Sequence, residues 1–158
     1  MRGKTTVFPV EPVNNFSVSF KVSLPFTYGP GVQLILLTST EPPVGALAVV
    51  IGCRTPSFGG LLPSPILAVQ VYPYIISRAE CNRAYAAYGG ITVNMICPGV
   101  PGGGKSCCQG DSGDPLVVGG QLAGIVSWGL SCALADFLTV YSNVATLKCF
   151  ITEQTGAQ

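Results

Sequence analysis

Residues 104–115 read Gly-Lys-Ser-Cys-Cys-Gln-Gly-Asp-Ser-Gly-Asp-Pro, a pattern that places Ser112 inside a glycine-bounded turn. Glycine adopts the backbone conformations that tight turns require, so the Ser112 hydroxyl is expected to be exposed. The backbone N–H groups beside such a serine can converge on a developing oxyanion. The stretch therefore predicts a turn that presents a serine hydroxyl.

The residues after this turn predict a β-hairpin. Pro115–Val118 and Gln121–Trp128 are apolar segments separated by Gly119-Gly120, and a Gly-Gly pair suits a two-residue type I′ turn. In an α/β-hydrolase, the alternative setting for a serine in a turn, a strand precedes the serine and a helix follows it. Here a glycine-rich loop precedes the serine, so the α/β-hydrolase interpretation is disfavoured.

Further elements favour an all-β fold with two helices. Ser77 and Glu80 form a capping box that predicts a short helix over Ala79–Tyr88, closed by Gly89-Gly90. Asn143 is predicted to cap a C-terminal helix. That helix carries Val144, Leu147, Phe150 and Ile151 on one face, and the other predicted strands are Val32–Leu37, Gly45–Gly52, Ile66–Ile76 and Val140–Asn143.

Composition excludes several classes of function. The 158 residues are 48% hydrophobic and 9% charged, with a net charge of +1, so no basic surface for nucleic acid is expected. The longest apolar run, Val44–Cys53, falls short of the roughly 20 residues that span a bilayer. The sequence contains no histidine, which excludes any mechanism using a histidine of this chain as base, acid or metal ligand. No cofactor or metal site is expected, because Asp111 and Asp114 lack a third ligand.

The seven cysteines indicate an oxidising compartment. The residues after Met1 contain no uninterrupted apolar stretch of the kind found in a secretory signal. We therefore expect an extracellular location from the cysteine content, although this chain shows no signal peptide.

The serine turn, with Gly124-Ile125-Val126-Ser127-Trp128-Gly129 after it and Asn94-Met95-Ile96-Cys97 before it, resembles the trypsin-like serine proteases. The resemblance implies the second six-stranded β-barrel of the double-barrel fold, with one short interior helix and a C-terminal helix. It implies that residues 33–158 form this barrel and that residues 1–32 are a remnant of the first barrel and linker.

The resemblance also implies roles for individual residues. Ser112 takes the nucleophile position, the N–H groups of Gly110 and Ser112 form the oxyanion hole, and Asp111 is the acid of the oxyanion loop. Cys81–Cys97 and Cys108–Cys132 are the implied disulfides, with Cys53, Cys107 and Cys149 outside that framework. The implied substrate pocket consists of Ser106, Cys107, Gln109, Ser127, Trp128, Gly129 and Thr139.

Departures from the family pattern bear on activity. The general-base histidine is absent, and Phe16 stands at the position of the triad aspartate. Ser106 replaces the aspartate that selects Lys and Arg, while Thr139 replaces a pocket-wall glycine. The sequence therefore predicts a truncated, degenerate homologue of the trypsin-like endopeptidases without catalytic activity.

Two alternatives remain open at the level of sequence. The first is a non-catalytic module that binds a protein partner in the former substrate cleft or on the exposed barrel interface. The second is a fragmentary product of a protease gene. An uncovered barrel interface predicts self-association, binding of another protein or aggregation, and the alternative is that residues 1–32 fold back as a partial cover.

Overall fold

The computed structural model describes residues 26–52, 69–100, 112–129 and 138–155. Within them lie nine short strands and two α-helices. The strands are β1 (Leu36–Leu37), β2 (Ala48–Gly52), β3 (Val69–Val71), β4 (Tyr74–Ile75), β5 (Met95–Ile96), β6 (Pro98–Gly99), β7 (Pro115–Val118), β8 (Gln121–Trp128) and β9 (Val140–Asn143). The helices are α1 (Arg78–Tyr85), which continues as a 3₁₀ turn over Ala86–Tyr88, and α2 (Val144–Thr155).

Six strands follow one another across the main sheet in the order β3-β2-β7-β8-β9-β5, and every neighbouring pair is antiparallel. Strand β1 joins the same sheet through a parallel pairing with β8, while β4 and β6 form a second, two-stranded sheet. The predicted fold class is confirmed: the chain is mostly antiparallel β-structure with one interior and one C-terminal helix. The division into residues 1–32 and 33–158 stays a prediction.

The glycine-rich turns lie where the sequence predicts them. Gly119 and Gly120 have φ angles of 57° and 77°, the left-handed values that a type I′ turn needs, and they join β7 to β8 with the predicted bounds. Gly89 and Gly90, at φ 92° and 75°, end the α1 segment. The Ser77 hydroxyl accepts a hydrogen bond from the Glu80 N–H at 3.1 Å, as the capping box predicts.

Three predicted strands are shorter in the structure. Of Gly45–Gly52, only Ala48–Gly52 forms a strand, because Gly45 lies in a turn in which the Ala46 N–H donates to the Pro43 carbonyl. Of Val32–Leu37, only Leu36 and Leu37 form a strand, because a turn that pairs Gly29 with Val32 occupies the start of the segment. The extended stretch Ile66–Ile76 is divided at Tyr72 and Pro73 into β3 and β4, which belong to different sheets. Proline has no N–H to donate to a sheet, which accounts for the break. Residues 66–68 lie outside the described part.

The core has two centres. One lies between β2, β4, β5, β7, β8 and β9 and consists of Ala48, Val50, Ile75, Ile96, Leu116, Val126 and Tyr141. Gly124 belongs there because a Cβ at this position would lie 3.1 Å from Leu116 Cδ2 and from Tyr141 Cβ. The other centre surrounds α1 and consists of Cys81, Tyr85, Cys97 and Val140, with Trp128 and Leu138 packed against it.

A buried asparagine joins β9 to the rest of the molecule. Asn143 is fully buried, and its Oδ1 accepts a hydrogen bond from the Ala145 N–H at 3.1 Å, which caps α2 as predicted. Its Nδ2 donates to Glu41 Oε2 at 2.8 Å and to the Val93 carbonyl at 3.3 Å. Glu41 also forms an ion pair with Arg78 at 2.6 Å. One side chain thus links the segment before β2, the α1 region and the start of α2.

The predicted apolar face of α2 is only partly covered. Val144 is fully buried, whereas Leu147 and Ile151 are half-buried and Phe150 is 42% exposed. Lys148 on this helix donates to the Leu37 carbonyl at 3.3 Å and to the Ser39 hydroxyl at 2.7 Å, which ties α2 to β1. Neither helix in the described ranges is long and apolar enough to cross a membrane.

Candidate active site

Ser112 lies in a turn immediately before β7, and its side chain is exposed. Gly113 has a φ of 92°, a left-handed conformation that glycine adopts without strain. The Gly113 N–H donates to the Val126 carbonyl at 2.9 Å, and the Val126 N–H donates to the Asp114 carbonyl at 3.0 Å. These two bonds fix the serine turn against the middle of β8 and leave the hydroxyl in solvent.

Four residues of the predicted substrate pocket lie in two neighbouring segments. Ser127 and Trp128 end β8 and Gly129 directly follows it, while Thr139 directly precedes β9, where Val140 pairs with Trp128. A Cβ built on Gly129 would lie 3.7 Å from Thr139 Cα and 4.0 Å from Thr139 Oγ1. Thr139 is 7% exposed, so it packs closely against this glycine. The structure therefore places the two predicted pocket walls side by side, with room for little more than a methyl group between Gly129 and Thr139.

Tyr85 contacts both of these segments from the buried side, a role that the sequence did not reveal. It is fully buried on α1, and its hydroxyl donates to the Leu138 carbonyl. Its ring meets the Trp128 indole edge-on, with centroids 4.8 Å apart and an interplanar angle of 70°. The one sequence signal was its position four residues after Cys81, which places both on the same face of α1.

A disulfide joins α1 to the end of β5. Cys81 and Cys97 are bonded, as the resemblance implies, and both are buried beside Tyr85. This bond fixes the helix that carries Tyr85 to the sheet. Cys149 on α2 is a free, exposed thiol.

Replacing Tyr85 with phenylalanine is expected to lower the free energy of unfolding by about 1 kcal/mol, since the part-buried Leu138 carbonyl loses a donor while the ring contact is kept. Urea denaturation measures this change. Tyr88→Phe is the matched control, because Tyr88 is exposed, and it is expected to change stability by less than about 0.5 kcal/mol. Equal effects of the two substitutions would contradict the supporting role of Tyr85.

Several predicted site residues lie outside the described residues. They are Phe16, Cys53, Ser106, Cys107, Cys108, Gln109, Gly110, Asp111 and Cys132. The oxyanion hole, the oxyanion-loop acid, the pocket floor and the second disulfide therefore stay predictions. In the described ranges, no group of three or more Cys, Asp, Glu or His residues could hold a metal ion.

The Trypsin family model matches residues 9–151, a span that includes the serine turn, the pocket walls and the first two turns of α2. This chain belongs to the trypsin family. It is 40% identical to trypsin alpha-4 of Lucilia cuprina over 90% of the chain and 54% of that relative. It is 42% identical to the vitellin-degrading protease of Bombyx mori over 82% of the chain and 49% of that protein.

Trypsin alpha-3 of Lucilia cuprina is 40% identical over 88% of the chain and 82% of its own length. The chain spans about half the length of trypsin alpha-4, of the vitellin-degrading protease and of trypsin delta of Drosophila melanogaster. The mostly antiparallel sheet with a C-terminal helix is consistent with the trypsin-like β-barrel.

Proposed function

We propose that this trypsin-family chain does not hydrolyse peptides by itself. The observation that carries the proposal is the absence of histidine from all 158 residues, set beside an exposed Ser112. A neutral serine hydroxyl is a weak nucleophile unless a neighbouring base takes its proton. In serine proteases that base is a histidine, so Ser112 keeps the position of the nucleophile without its means of activation.

The pocket walls support a second candidate, a non-catalytic module that binds peptide in the substrate cleft. Ser112 and Gly129 are exposed, and Trp128 is half-buried, so the side of β8 that would face a peptide is accessible. Tyr85 holds the two walls in place. A module of this kind would act outside the cell, a location that the disulfide supports.

A fluorophosphonate probe tests the first proposal, since it reacts with activated serines. We expect labelling of the wild-type chain to equal that of Ser112→Ala, while an active trypsin is labelled under the same conditions. Labelling that is rapid and lost in Ser112→Ala would overturn the proposal. If labelling appears only after another histidine-bearing polypeptide is added, the chain alone is inactive, as proposed.

The second candidate can be tested with the intrinsic fluorescence of Trp128, which is the single tryptophan of the sequence. Peptide that enters the cleft is expected to change its emission in a saturable way. A mixed peptide pool that leaves the emission unchanged at millimolar concentration would exclude peptide binding in this cleft.

A further inference from the structure

A cluster of exposed apolar side chains lies close together in sequence within residues 26–36. We define the apolar strip as six side chains that are between 41% and 77% exposed: Phe26, Tyr28, Val32, Leu34, Ile35 and Leu36. Isolated exposed apolar residues are common on proteins, but six within eleven positions are not. The strip is therefore a surface that a partner would cover.

A tight turn between Gly29 and Val32 divides the strip into two segments that run back along each other. The Gly29 N–H donates to the Val32 carbonyl at 3.0 Å, and the Val32 N–H donates to the Gly29 carbonyl at 3.1 Å, which encloses Pro30 and Gly31. The chain therefore reverses between the two aromatic residues and the four aliphatic ones.

Strand β1 determines that the Leu36 side chain faces solvent. Leu37 enters the core and pairs with Leu122, while Leu36 faces outward at 61% exposure. Val32, Leu34 and Ile35 precede the strand and are 41%, 77% and 43% exposed. The sheet thus keeps Leu37 inside and presents its neighbour to solvent.

The strip contains no charged residue that would favour its exposure to solvent or attract a charged partner. In the sequence, no charged residue stands between Lys21 and Glu41. Charged side chains are the usual protection of exposed apolar edges. A partner must therefore offer an uncharged apolar surface of similar length.

We propose that the apolar strip is the contact surface of a symmetric dimer of this chain. In a two-fold interface the same surface serves both copies, so a second copy supplies an uncharged apolar strip of the same length. Each strip exposes roughly 500 Å² of apolar surface, judged from its two aromatic and four aliphatic side chains. About 1,000 Å² in the dimer is the lower limit for a specific interface, so the strip is just large enough for a weak dimer.

Analytical ultracentrifugation from about 1 to about 100 µM tests this inference, with free thiols alkylated so that Cys149 cannot link two chains. We expect a reversible monomer–dimer equilibrium. Leu34→Lys, at the most exposed position of the strip, is expected to raise the dissociation constant at least about tenfold. Leu36→Lys is a second variant with the same expectation.

Val44→Lys is the matched control, because Val44 is exposed to a similar degree outside the strip, and it should leave the dissociation constant unchanged. Near-ultraviolet circular dichroism checks that each variant is folded.

A monomer at all concentrations overturns the inference. If that monomer also shows slow amide exchange at residues 32–36, another part of the same chain covers the strip. If exchange is fast and a different protein binds there, the strip serves that protein. Equal weakening by Val44→Lys also overturns the inference.

Discussion

Replacing Cys81 and Cys97 together with alanine is expected to lower the free energy of unfolding by about 3 kcal/mol. The two residues are 16 positions apart in sequence, and a disulfide that closes a loop of this length restricts the unfolded chain by about that amount. Both residues are also fully or nearly fully buried beside Tyr85, so the loss of sulfur packing adds to the effect. Chemical denaturation of the double variant measures the change.

The matched control is Cys149→Ala, which removes an exposed thiol outside any disulfide. Its effect is expected to stay within about 0.5 kcal/mol. A second consequence concerns the pocket walls, since α1 carries Tyr85 and Tyr85 contacts Trp128. The double variant should therefore shift the Trp128 fluorescence before global unfolding. Unchanged stability in the double variant would show that packing alone holds α1 in place.

Asn143→Ala is expected to lower the free energy of unfolding by about 3 kcal/mol. The substitution removes the cap of α2, worth about 1 kcal/mol. It also removes the two hydrogen bonds that Nδ2 donates to the Val93 carbonyl and to Glu41, and a hydrogen bond contributes about 1 kcal/mol net. Thermal or urea unfolding of the variant provides the measurement.

Asn143→Ser separates the two contributions. Serine keeps an oxygen that can accept from the Ala145 N–H, but it has no amide donor that reaches Glu41. We expect it to recover about 1 kcal/mol relative to alanine. If serine and alanine destabilise equally, the cap contributes nothing and the link to Glu41 carries the whole effect.

The parts of the fold that the sequence predicted well depend on local signals. The type I′ turn at Gly119-Gly120 requires left-handed conformations, which glycine adopts easily. The apolar segments on both sides of this turn were therefore predicted as a β7–β8 hairpin with the observed bounds. Ser77 and Asn143 each satisfy a backbone N–H within three residues, which is why both helix starts were predicted. Local chemistry of this kind is independent of the rest of the molecule.

The parts that the sequence did not reveal depend on contacts between distant positions. The parallel pairing of Leu36 with Gln121 has no local signal, and neither has the hydrogen bond between Asn143 and Glu41, which are 102 positions apart. The strand predicted over Val32–Leu37 was too long for the same reason, because only its end reaches β8.

For the candidate site, the serine turn and the pocket walls could be named from their residues, whereas the support from Tyr85 could not. Nothing in the sequence around Tyr85 indicates that its hydroxyl would reach Leu138, which lies 53 positions away. The exposed position of Ser112 follows from the glycines beside it.

The position of β8 in the sheet has a consequence for how the protein is made. Strand β8 pairs with β1, β7 and β9, so its partners are spread from Leu36 to Asn143. A ribosome that adds about 5–20 residues per second finishes β1 and β2 several seconds before β8 emerges. During that interval β1 and β2 lack their later partner strands, so backbone N–H and C=O groups at their edges are unpaired. Such edges are sites of aggregation. The yield of folded chain should therefore rise when a chaperone binds the β1 and β2 segments until β8 has been made.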